Sequence, residues 1–142
     1  MDELSKQLKI ALTELALEKN SKEFSVPFEG LRLRSLYTEN EKEILLKNLD
    51  MLKAEKFLSV YNMDKDFLSF SISPDISIPS ITQSERNIVI DRAIMRALLF
   101  RLYQEYRNRN STLAKYPLAE LSGVPEFNLE VQRREQLLRL VF

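Results

Sequence analysis

The chain has 142 residues, of which 44% are apolar and 30% charged, the proportions of one globular domain and not of a disordered tail. Basic and acidic residues number 21 each, so the formal net charge is zero, which argues against a general polyanion binder, whose affinity rests on excess cations. Cysteine and histidine are both absent, which excludes disulfides, thiolate metal sites, a Ser-His-Asp arrangement and histidine-ligated zinc or haem.

Taken in chain order, the first segment, Asp2 to about Lys19, carries Leu4, Leu8, Ala11, Leu12 and Leu15 at i, i+4, i+7 spacing. That spacing predicts an amphipathic helix, with Ile10 and Leu17 widening its stripe. From Lys22 to Tyr37 two alternating stretches follow, Phe24-Ser25-Val26-Pro27-Phe28 and Leu31-Arg32-Leu33-Arg34, with Glu29-Gly30 between them. The first reads as a strand; residues from Glu29 to Tyr37 fit either a second strand after a tight turn or a short helix, and the reading adopted is a strand followed by a short irregular or helical piece.

Thr38-Glu39-Asn40-Glu41 is a capping-box pattern and opens a helix that carries Ile44, Leu45, Leu49 and Leu52 to about Glu55. Phe57–Tyr61 and Phe67–Ile72 then read as two strands joined by the polar loop 62–66, with Leu68, Phe70 and Ile72 on one face. Residues 73–80 contain Pro74 and Pro79 and form an extended connector, which Ile76 and Ile78, with Ile81 just after it, keep against the protein. A second capping box, Thr82-Gln83-Ser84-Glu85, starts a long helix over 85–109. A short helix near 112–121, a turn at Gly123-Val124-Pro125 and a final amphipathic helix near 128–141 complete the chain.

The order helix, strand or short helix, capped helix, hairpin over residues 1–73 resembles a winged helix, with 41–72 in the place of the recognition helix and wing. The fold class expected is therefore α+β, mostly α: a winged-helix-like half over 1–73 and a helical half over 74–142, sharing one core. If that resemblance extended to DNA, Lys42, Lys47 and Lys53 would be the contacts. Glu41, Glu43, Asp50 and Glu55 dilute them, and residues 1–73 hold 11 basic against 13 acidic side chains. A second fragment, Leu118-Ala119-Glu120-Leu121-Ser122-Gly123-Val124, resembles the turn of a helix-turn-helix, and Arg133 and Arg134 on the following helix could then reach DNA.

Nine of ten lysines precede Ser73 and nine of eleven arginines follow it. Arginine suits partly buried, planar contacts, so the C-terminal half is expected to be the contact surface. The long helix is apolar on nearly all sides: Ile88, Met95, Leu98, Leu99, Leu102 and Tyr106 on one face, Ile90, Ile94 and Ala97 well round from it, Val89 and Phe100 on a third. Ile90, Ile94, Ala97, Phe100 and Arg101 are the residues expected to meet a partner.

Catalysis finds little to work with. Asp64 and Asp66 fall in the hairpin loop, Glu39, Glu41 and Glu43 at a helix start, and two glycines cannot make a phosphate loop. The expectation is a non-catalytic assembly subunit without cofactor or metal, binding another protein or a second copy of itself, with a DNA-binding regulator as the alternative. The acidic Met1-Asp2-Glu3 start and the lack of a run of roughly 20 apolar residues give the expectation of a cytoplasmic chain with no membrane association.

Overall fold

A computed structural model describes residues 3–108 and 125–142. Helix α1 (Glu3–Lys19) leads into strand β1 (Glu23–Pro27) and the short helix α2 (Phe28–Arg34). A 3-10 turn at Glu39–Glu41 continues into α3 (Lys42–Ala54), followed by the hairpin β2 (Leu58–Asp64) and β3 (Phe67–Ile72). The long α4 (Gln83–Asn108) and α5 (Pro125–Val141) complete the described fold, which is α+β and mostly helical. The short helix expected near 112–121, the turn at Gly123 and the helix-turn-helix fragment around it lie outside the described residues.

The sheet is antiparallel with order β1-β3-β2, so the first strand lies against the last and β2 forms an edge. Pairing sets Phe24 opposite Phe70 and Val26 opposite Leu68, which puts the apolar members of both strands on one face. The rings of Phe24 and Phe70 sit 5.6 Å apart there. The opposite face is mixed: Ser25 and Ser69 hydroxyls are hydrogen-bonded there at 2.9 Å, beside the exposed Val60 and Phe67. The hairpin turn is the two residues Lys65-Asp66, shorter than the expected loop, because Asn62, Met63 and Asp64 continue the ladder opposite Ser69, Leu68 and Phe67.

Two apolar clusters result. The larger joins Leu8, Leu12 and Leu15 of α1, Leu31 and Tyr37, Leu45, Leu49 and Leu52 of α3, and the inner face of the sheet, with Ile76 and Ile78 of the connector packed on it as expected. The smaller joins Leu33 of α2, Ile94, Ala97, Leu98 and Leu102 of α4, and Leu138 of α5. Helix α2 thus has one leucine in each cluster. Ile10 is 50% exposed and does not join the α1 stripe, while Asn48 takes a core position on α3 by donating to the Tyr37 hydroxyl at 2.8 Å.

The alternation Leu31-Arg32-Leu33-Arg34 is helical, and all four residues are buried. Alternation normally marks one wet face, but here both arginines are buried with carboxylate partners. Gly30 is no hairpin turn. It sits buried inside α2, where a Cβ would collide with the backbone carbonyl of Val141 at the end of α5. Both capping boxes form: the Thr38 N–H donates to the Glu41 carboxylate at 2.8 Å, and Glu85 N–H returns to the Thr82 hydroxyl at 3.2 Å.

Candidate interaction surfaces

The outer side of α3 is where a nucleic-acid contact would fall. Lys47 and Lys53 are exposed on it, together with Glu43 and Asp50. Lys42 is drawn sideways: its amine lies 3.6 Å from Glu29 and 3.7 Å from Glu39. Those glutamates also hold Arg32, whose guanidinium donates to Glu29 at 2.6 Å, to Glu39 at 3.4 Å and to the Tyr37 carbonyl at 2.9 Å. The Arg32 hydrogen bonds, opposed by partial burial and helped by the charges of Arg32 and Lys42, hold the Glu29 carboxyl below its ordinary range. Asp50 accepts from the Tyr61 hydroxyl of β2. Burial and, second, Asp50 push that phenol up to about 12.

Of the residues expected to meet a partner on α4, Ile94 and Ala97 are buried within the chain at 2% and 1% exposure, and Ile90 packs against the same cluster. That correction has a simple cause: α4 turns Ala93 and Ala97, its smallest residues, inward, where α1 and α2 approach closely. Phe100 and Arg101 do reach the surface. With Arg32, Leu33, Tyr37, Glu39 and Gln104 they line a cleft of about 200 Å³ between α2 and α4.

The apolar side chains left outward are different ones. On α4 they are Ile88, Met95 and Leu99, each at least half exposed, and their spacing of seven and four residues sets them along one stripe. On α5 they are Leu129, Leu137 and Leu140, exposed by 63%, 58% and 84%. Arg133 is exposed one turn from Leu129 and Leu137, whereas Arg134 is partly buried. A sequence signal for the α5 surface existed. Leu137 and Leu138 are adjacent, about 100° apart on a helix, so burying Leu138 turns Leu137 away from the centre of the packed face.

Some of the arginines have an internal use. Arg96 ties α4 to Glu14 of α1 at 2.5 Å, and Arg139 ties α5 to Asp91 of α4 at 3.1 Å. Arg34 makes a bidentate contact with Glu18 at 2.6 and 2.7 Å, fully buried, with the Phe142 ring over its guanidinium at 4.7 Å. Planar, forked contacts of this type favour arginine over lysine. Among the described residues no cluster of three potential metal-ligating side chains occurs, and no helix is long and apolar enough to cross a membrane. No family model matches the sequence, and neither the curated proteins nor the solved structures compared with it give a match.

Proposed function

We propose that this protein is a non-catalytic assembly subunit with a winged-helix core, and that it contacts another protein through the outer faces of α4 and α5. The observation that carries this reading is α5. It buries Leu138 against α4 and α2 and leaves three leucines 58–84% exposed on the remaining surface. A helix with apolar residues on opposite sides has surface for neighbours on both, and among the described residues α4 and α2 cover only the Leu138 side. The Ile88–Met95–Leu99 stripe adds to the uncovered apolar area, and such patches on a small protein mark contact sites.

Support for the winged-helix core comes from the order α1-β1-α2-α3-β2-β3 and the β1-β3-β2 sheet, which is the connectivity of that fold. The DNA-binding alternative draws less support from the same geometry. Lys42 is taken up by two glutamates, Lys47 and Lys53 alternate with Glu43 and Asp50, and the tip of the hairpin carries Asp64 at the end of β2 and Lys65 and Asp66 in the turn. A DNA-reading helix and wing present cations to phosphate.

The test is the native mass of the protein in extracts of its own cells, for the unaltered chain and for Leu129→Glu/Leu140→Glu. The unaltered chain is expected in a larger complex and the double variant at the mass of the free chain, with the melting temperature unchanged because neither leucine is buried. Equal masses for both proteins would overturn the reading. Binding to a DNA duplex that weakens steeply with salt would put the alternative in its place.

A further inference from the structure

We infer that β2 is a pairing edge on which a second copy of this chain docks, its own β2 running antiparallel to the first. This surface is separate from the faces of α4 and α5. On one side β2 is laddered to β3. Every second residue of an antiparallel strand turns its N–H and C=O away from its neighbour. Among the described residues, no main-chain hydrogen bond outside the ladder involves residues 58–64. The strand therefore offers a row of spaced donors and acceptors that another strand can match.

The two edges of the sheet are treated differently. β1 has Glu23 at one end and Pro27, which has no N–H, at the other, both common devices for keeping an edge unpaired. β2 has seven residues, no proline and no lysine, and carries Val60 and Met63 exposed by 48% and 51% on its opposite faces. Its one irregularity is a bulge between Leu58 and Val60, at the end nearest α3.

Charge selects the occupant. Lys53, Glu55 and Lys56 lie just before the strand, and Asp64, Lys65 and Asp66 at its far end, all exposed. The first end is net positive and the second net negative, and neither Lys56 nor Asp66 has an ion-pair partner among the described residues. A twofold antiparallel pairing centred on Tyr61 sets Val60 beside Asn62 and brings the positive end of each copy, with Lys56, toward the negative end of the other, with Asp66. Such an isologous contact satisfies both copies with one surface. One seven-residue strand paired with its copy covers little surface, so the contact falls at the small, weak end of specific interfaces and association depends on concentration.

Sedimentation velocity of the full chain over a wide concentration range, with hydrogen exchange at each end of it, tests this. The unaltered protein is expected to gain mass toward a dimer as concentration rises, with the Tyr61 and Met63 amides becoming protected. Val60→Lys places a cation on the exposed outer side of the edge and should weaken association about ten-fold. Lys56→Asp should weaken it as well, and Lys56→Asp/Asp66→Lys should restore it, which a loss of folding would not do. A chain that stays monomeric at every concentration overturns the inference and leaves the proposed function standing with a different protein as partner. Self-association untouched by Val60→Lys but lost in Leu129→Glu/Leu140→Glu overturns it too, and assigns the second copy to α5.

Discussion

Helices α1, α2 and α3 end on Asn20, Leu36 and Lys56, all with positive φ between 51° and 65°. Each is followed by a Schellman closure, such as Phe57 N–H to the Leu52 carbonyl at 2.9 Å. Glycine suits that position best, and this chain has only two. Lys56 is exposed, so Lys56→Gly removes backbone strain without losing burial and should raise stability by about 0.5–1 kcal/mol, read from denaturant unfolding. Tyr61 supplies a pH signature at the same scale. Its folded pKa is raised to about 12, so the stability linked to it is present below the ordinary value near 10 and is lost as pH rises toward 12. Tyr61→Phe should remove that loss, measured as the unfolding midpoint across alkaline pH, and should also remove one late step from the tyrosine absorbance titration.

At the scale of elements, α2 is the joint of the molecule. It contributes Leu31 to one apolar cluster and Leu33 to the other, and Gly30 lets the end of α5 come against it. Arg34, with no exposed side-chain surface, connects it to Glu18 of α1. Removing one member of such a buried pair strands the other charge, so Arg34→Met or Glu18→Leu alone should cost about 3–5 kcal/mol. The double variant Arg34→Met/Glu18→Leu should recover most of that in the same unfolding measurement, since no charge is left buried. Elements with local signals were legible in the sequence: the two capping boxes, the leucine spacing of α1 and the hairpin of β2 and β3. Residues 28–34 were legible only as one of two alternatives, a short helix or a second strand, because an arginine in a core alternates with leucine in the same way as an arginine in water. The Glu18 partner that decides between them is sixteen residues away.

For the whole molecule, the face of α4 that stays outward was not readable from α4 alone. Its sequence is apolar nearly all round, and the choice is made by α1, α2 and α5, which together cover Ala93, Ile94, Ala97, Leu98 and Leu102. Of the residues expected to meet a partner, Arg101 is exposed and Phe100 half-buried, Ile94 and Ala97 belong to the core, and the Leu129–Leu137–Leu140 surface was not anticipated. The arginine bias pointed to contact, and two of those arginines, Arg96 and Arg139, instead make ties between α1, α4 and α5 inside the chain. The outward leucines of α5 remain unpartnered among the described residues, and that makes them the place to look for the partner. A photo-crosslinking side chain at position 140, the most exposed of them at 84%, should join the protein in living cells to one discrete polypeptide, a partner or a second copy, and the product should vanish when Leu129→Glu is added. Crosslinks to nucleic acid alone, or none at all from a folded protein, would contradict the assignment of α5 as a protein-contact surface.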